Sequence, residues 1–271
     1  MEDKSKMEAM KGDENDLIDK PQYPSLIMKN IEYTRTMVCP VSPSYLKEQR
    51  VITRYDADNP LVDSYRLLRT RVMRYMEQNG FRTLGITSAV PGEGKTLTAI
   101  NLGLSIALER NNTVLAIDAD LRSPSMHKYF GINPINGIED HLRLGLPVAD
   151  ILINPEINKF VILPAKGIGG SSSELLTSQS MMQLIDEVKN RYQNRIVIFD
   201  LPPVLVGDDV IALADHLDTL LIVIEEGKTQ SHDLAEAIDR LKGMNILGTV
   251  LNKSRKQNSI HSYSDYYSKK R

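Results

Sequence analysis

Tryptophan is absent from this 271-residue chain, cysteine occurs once, at Cys39, and phenylalanine only four times. A single thiol excludes a disulfide framework and a thiolate metal site. The five histidines are scattered and show no metal-ligand spacing. No apolar run approaches the roughly 18 residues that a membrane-spanning helix needs. The acidic, lysine-dotted N-terminus does not read as a signal peptide. Neither sign of charge dominates: 33 Lys and Arg against 35 Asp and Glu leave a net charge of -2, which argues against a dedicated nucleic-acid binder. The expectation is a cytoplasmic protein whose membrane contact comes through a partner. Its length allows one large α/β domain or two small ones.

What is present is a glycine-rich turn followed by a lysine and a threonine. Ala89-Val90-Pro91-Gly92-Glu93-Gly94-Lys95-Thr96 comes after the strand-like segment 83–88 and before residues 97–108, which are apolar at helical spacing. Strand, glycine turn and helix form the context that a phosphate-binding loop requires. Glycines let the backbone close on an anion, so that amides of the loop and helix N-terminus point at its oxygens. The nucleotide-binding residues expected are Pro91, Gly92, Glu93, Gly94, Lys95, Thr96 and Leu97. Lys95 reaches the β- and γ-phosphates of ATP, and the Thr96 hydroxyl holds Mg²⁺. The first glycine of the usual pattern is Ala89 here, a small change.

Beyond the loop, strand-like and helix-like segments alternate. Strands are expected over 83–88, 113–118, 160–164, 195–200, 219–224 and 246–251. Most are unbroken apolar runs, such as Val114-Leu115-Ala116-Ile117, which favours a mainly parallel sheet with helices on both faces. Ahead of them, Asn59 and Pro60 open a helix as N-cap and first helical residue. It runs through Tyr65, Leu68, Val72, Tyr75 and Met76, and Gly80 stops it. Residues 1–58 are polar, with prolines at 21, 24, 40 and 43, and read as a flexible, mostly irregular arm with a short helix near 45–48. Residues 59–253 form the domain, and 254–271 a flexible tail containing tyrosines.

Three aspartates stand at strand ends. Asp118 closes Leu115-Ala116-Ile117, Asp120 follows it by two residues, and Asp200 closes Ile196-Val197-Ile198-Phe199. Ligands of open parallel sheets bind beyond the carboxyl ends of the strands. A buried, unpaired carboxylate is costly, whereas beside Mg²⁺ and a triphosphate its charge is compensated. Asp118 and Asp200 are therefore expected to serve a site at these strand ends. Asp208 and Asp209 suit helix capping as well as function.

Together these motifs resemble those of the bacterial tyrosine kinases (BY-kinases) of capsule and exopolysaccharide systems, over roughly residues 60–253. The glycine loop, the strand end Ile117-Asp118-Ala119-Asp120-Leu121-Arg122 and the strand end Phe199-Asp200-Leu201-Pro202-Pro203 carry the resemblance, supported by Ser172-Ser173-Glu174-Leu175-Leu176 and Gly248-Thr249-Val250-Leu251-Asn252. It implies a P-loop NTPase fold, ATP and Mg²⁺ as cofactors, tyrosine autophosphorylation, Lys95, Asp118, Asp120 and Asp200 as catalytic residues, and Thr96, Asp118 and Asp200 as metal ligands. Asp118, whose strand end faces the γ-phosphate region, is expected to accept the tyrosine proton, although the sequence leaves the roles of the three aspartates interchangeable. Asn252 is then expected near the adenine. The resemblance also implies a homo-oligomer through the helix bearing Asp63, Arg66 and Arg69, where Asp63 replaces the family's glutamate. Further implied partners are an integral-membrane polysaccharide chain-length protein as activator and a phosphotyrosine phosphatase. Tyr263, Tyr266 and Tyr267 look like a small version of the family's tail cluster. The nearest rival is the septum-positioning and plasmid-partition ATPase group, switches without kinase activity. Those carry a further lysine at the loop start, where this chain has Val90, and often end in an amphipathic membrane helix, for which the tail has no apolar face.

Overall fold

The computed structural model describes residues 36–53, 56, 59–109, 111–167, 172–192 and 194–254. Tyr263, Tyr266 and Tyr267, and the arm before residue 36, lie outside the described residues. In chain order the first half forms β1 (Met37–Val38), α1 (Pro43–Glu48), α2 (Pro60–Asn79), β2 (Thr83–Ser88), α3 (Lys95–Ala107), β3 (Thr113–Asp118), α4 (Met126–Tyr129) and α5 (Ile138–Leu144). Then come β4 (Ile153–Asn154), β5 (Phe160–Leu163), α6 (Ser172–Leu176), α7 (Gln179–Asn190), β6 (Arg195–Asp200), α8 (Asp209–Ala214), β7 (Thr219–Glu225), α9 (Ser231–Arg240) and β8 (Ile246–Asn252). The strands make one sheet in the order β1-β4-β5-β3-β6-β2-β7-β8. Only β4 and β5 run antiparallel to each other.

The unbroken apolar runs are explained by the two layers that cover the sheet. Successive strand residues point to opposite faces. Val114, Ala116, Ile196 and Ile198 pack with Val72 and Met76 of α2 and Ile100 and Leu102 of α3. Leu115, Ile117, Val197 and Phe199 pack with Leu184 of α7, Leu213 of α8 and Ala237 of α9. Each large side chain buried in this way contributes about 1.5–3 kcal/mol. β2, β3 and β6 have the expected bounds, β5 ends one residue early at Leu163, and β7 and β8 each run one residue further.

Helix α2 is set by its ends. The Asn59 Oδ1 accepts from the Leu61 amide at 3.0 Å, Pro60 opens the first turn, and Gly80 closes it in the left-handed region. One face, Val62, Tyr65, Val72, Met73 and Met76, is buried. Among the described residues no helix is long and apolar enough to cross a membrane.

The expectation of a flexible arm up to residue 58 does not hold for residues 36–53. β1 extends the sheet edge: the Met37 amide donates to the Leu152 carbonyl at 3.2 Å, and the Cys39 amide to that of Asn154 at 2.8 Å. Leu46, Val51 and Ile52 are buried in the α2–α3 layer. Asn101, fully buried in α3, accepts from the Ile52 amide at 2.9 Å and donates to the Arg50 carbonyl at 3.0 Å. The Tyr45 hydroxyl donates to the Lys128 carbonyl at 2.8 Å. The short helix expected near 45–48 is α1, but the three apolar anchors, spread among prolines and charges, have no period, so the rest of this strap has no signature in the sequence. β4, also unexpected, is two residues long and too short for any alternation.

Candidate nucleotide site

Sheet register builds the site. Asp118 at the end of β3 is the Cα partner of Asp200 at the end of β6, and Asp200 in turn partners Ile86 of β2. The glycine loop leaves β2 two residues later and enters α3, with Gly94 as N-cap at φ +92° and Lys95 as the first helical residue. Loop, helix N-terminus and both aspartates therefore meet at the carboxyl edge of the sheet, where the helix dipole favours an anion.

Lys95 lies inside this meeting point. Its Nζ donates to Asp120 Oδ2 at 2.8 Å and stands 3.5 Å from Asp200 Oδ1, and all three side chains are buried. Burial alone lowers the lysine pKa, but the charges of Asp200 and Asp120 outweigh it and raise the pKa above its ordinary value. Asp118 is held well above the carboxylate range by burial and by the Asp200 charge. Its Oδ2 accepts from the Ser125 and Met126 amides at 3.0 and 2.9 Å, and its Oδ1 from the Asp120 amide at 3.3 Å, so it also shapes the turn before α4. Asp200 is raised by burial, with Lys95 pulling in the opposite direction. Its Oδ2 is buried and makes no hydrogen bond.

The donor set suits Mg²⁺ rather than a metal held by protein groups alone. Among the described residues, no three His, Cys, Asp or Glu side chains are placed to hold a metal ion. The orphaned Asp200 oxygen and the Thr96 hydroxyl, 3.1 Å from that of Ser125, are hard oxygen donors. Mg²⁺ takes one or two such protein ligands and fills its octahedron with phosphate oxygens and water.

The remaining expected residues divide. Glu93 is fully buried, with Oε2 accepting from the Val90 amide at 3.0 Å and Oε1 from the Thr229 hydroxyl, so its side chain supports the loop from behind. Asn252, expected at the adenine, donates Nδ2 to the Glu93 carbonyl at 2.8 Å and braces the loop. Asp209 is buried, accepts from the Ser172 hydroxyl at 2.7 Å and pairs with Arg122, whose Nε also donates to Ser172 at 2.8 Å. Asp208 makes no side-chain capping bond and lies 3.6 Å from Arg122. These aspartates tie the β3–α4 loop to α6 and α8, with Arg122 as the hub. The sequence motif contained Arg122 without indicating this task.

The trio on α2 does not form one exposed face. Arg66 and Asp63 pair at 3.0 Å in solvent. Arg69 turns inward, donating to the Ser105 carbonyl at 3.0 Å and pairing with Glu109 at 3.0 Å.

Residues 84–271 match the CobQ/CobB/MinD/ParA nucleotide binding domain family. The tyrosine-protein kinase YwqD of Bacillus subtilis (strain 168) is 32% identical over 225 residues, which cover 82% of this chain and 93% of that protein. The tyrosine-protein kinase etk of Escherichia coli (strain K12) is 30% identical over 200 residues, 72% of this chain but only 27% of that longer protein. The solved kinase domain of the Escherichia coli tyrosine kinase ETK superposes with a TM-score of 0.69 at 29% identity, covering 82% of this chain and 90% of that domain. With a nucleotide-binding fold, a glycine loop and acidic strand ends in register, the chain belongs to the bacterial tyrosine kinases, protein-tyrosine kinases built on the CobQ/CobB/MinD/ParA domain.

Proposed function

We propose that this kinase uses ATP and Mg²⁺ to phosphorylate tyrosines on neighbouring copies of itself, and thereby regulates the synthesis and export of an extracellular polysaccharide. The observation that carries the reading is Lys95, fixed 2.8 Å from Asp120 and 3.5 Å from Asp200 where the glycine loop meets the carboxyl ends of the strands. Amides of Gly92, Glu93, Gly94, Lys95, Thr96 and Leu97 surround the phosphates, and Pro91 sets the entry of the loop. Thr96, Asp118 and Asp200 would hold Mg²⁺, which when bound would supply positive charge to the triphosphate.

The chain's own groups account for the rest. Lys95 balances charge as the bond from the γ-phosphorus to the bridging oxygen breaks and the tyrosine oxygen forms the new bond. The phenolic proton passes to a carboxylate, and ADP leaves. Asp118 is assigned as acceptor, because it ends β3 in register with Asp200 at the carboxyl edge of the sheet, where the γ-phosphate and the incoming tyrosine meet. Asp120 orients Lys95, and Asn252 braces the loop through the Glu93 carbonyl.

Assembly uses the exposed Asp63–Arg66 pair of α2, and Arg69 supports that helix from within. An integral-membrane chain-length protein activates the kinase and holds it at the inner face of the plasma membrane, and a phosphotyrosine phosphatase reverses the modification. The acceptors are Tyr263, Tyr266 and Tyr267. The test mixes a Lys95→Met protein with an intact-site protein whose three tail tyrosines are phenylalanine, in the presence of the activator. Phosphotyrosine on the first protein means transfer between subunits. None on either, with ATP binding intact, favours an ATPase switch of the septum and partition type.

A further inference from the structure

Three consecutive carbonyls of the glycine loop are held from behind by side chains that arrive from the far edge of the sheet. Lys228, in the turn after β7, donates Nζ to the Pro91 carbonyl at 2.7 Å. Lys253, just past β8, donates Nζ to the Gly92 carbonyl at 2.7 Å. Asn252, the last residue of β8, takes the Glu93 carbonyl at 2.8 Å. Glu225 ends β7 and gathers both lysines, 2.9 Å from Lys253 and 3.6 Å from Lys228. Gly92 and Gly94 take positive φ, +81° and +92°, and at Gly94 a Cβ would also meet Asn252 Nδ2 at 2.1 Å.

In a trans peptide unit the carbonyl and the following amide point in opposite directions. Fixing the oxygens of Pro91, Gly92 and Glu93 outward therefore turns the amides of Gly92, Glu93 and Gly94 to the opposite side of the loop. The Lys228 and Lys253 ammonium groups also place positive charge directly on the Pro91 and Gly92 carbonyl oxygens, with the Glu225 and Glu93 carboxylates balancing the cluster. That charge polarises each unit and strengthens its N–H as a donor to an anion.

The geometry points to Lys228 and Lys253, organised by Glu225, as positioning residues that pre-set the loop amides for the β-phosphate of a nucleoside di- or triphosphate. This deepens, and rests on, the reading of the loop as the nucleotide site. Both lysines act through the loop backbone and not on the γ-phosphate, so ADP and ATP depend on them equally. Pre-setting three amides costs no ordering when ligand arrives, so the effect falls on binding and not on turnover of bound ATP.

The test is calorimetric titration of the full chain with Mg-ADP and with a non-hydrolysable Mg-ATP analogue, alongside phosphorylation kinetics with the activating partner present. Lys228→Met and Lys253→Met keep side-chain length and remove charge. Both side chains are nearly half exposed, so folding is not at stake. The double variant is expected to bind ADP and the ATP analogue at least ten-fold more weakly, by similar factors. KM for ATP should rise while kcat stays within about three-fold, and the matching double arginine variant should recover most of the affinity. A double methionine variant that binds ADP like wild type overturns the proposal. So does a ten-fold greater loss for the ATP analogue than for ADP, which means direct contact with the γ-phosphate. Wild-type protein that binds no ADP overturns the nucleotide reading itself, and the clamp with it.

Discussion

Lys95 and Asp120 form a buried ion pair, Nζ to Oδ2 2.8 Å, inside a site that holds two further buried carboxylates, Asp118 and Asp200. The lysine thus has a structural task beside the catalytic one proposed for it. Lys95→Met is expected to abolish tyrosine phosphorylation while leaving the loop backbone able to close. It also strips the counter-charge from Asp120 and Asp200, and breaking a buried pair costs up to about 3–5 kcal/mol. Phosphotyrosine blotting and thermal melting of the same preparation check both outcomes. Phosphorylation at wild-type level sinks the site assignment, and an unchanged Tm sinks the structural one.

Asp118→Asn is expected to slow phosphoryl transfer by at least about 100-fold, the usual contribution of a positioned proton acceptor. ATP affinity should change far less. An amide can still accept from the Ser125 and Met126 amides through its oxygen, so the turn before α4 survives. Equal losses in binding and transfer move Asp118 from catalysis to construction of the turn.

Arg66 and Arg69 of α2 should separate experimentally. Arg66→Ala is expected to shift light-scattering mass toward monomer with little change in stability, since exposed pairs contribute about 0–1 kcal/mol. Arg69→Ala removes a bond to the Ser105 carbonyl and a partner of Glu109, and should lower Tm before it touches assembly. A mass shift in the Arg69 variant at unchanged Tm reverses this division.

Asp218 provides a pH-dependent contribution. Burial alone raises its pKa, but the Lys189 ammonium and the Arg82 and Thr83 amides outweigh it and hold the carboxyl below its ordinary value. A carboxyl depressed in the folded state stabilises above its unfolded pKa of about 3.9 and loses that contribution as pH falls through the folded value. The stability gap between wild type and Asp218→Asn, from urea unfolding, should be full at pH 7 and shrink below about pH 4. A gap independent of pH contradicts the assignment.

The sequence by itself determined the nucleotide loop, the six longer strands and the ends of α2. Each is local chemistry: glycines where φ is positive, apolar runs long enough to be covered on both faces, and an Asn-Pro start with a glycine stop. It also determined that Asp118 and Asp200 end strands. Only the tertiary structure made them Cα partners, because register between strands far apart in the chain is chosen by packing of both layers. Tertiary packing alone decided that residues 36–53 strap the α2–α3 layer through Asn101, since isolated anchors have no period to read. The directions of Arg69, Lys228 and Lys253 were likewise beyond the sequence. A long flexible side chain on a surface position has many rotamers, and the carbonyl or carboxylate that captures it is contributed by another element of the fold.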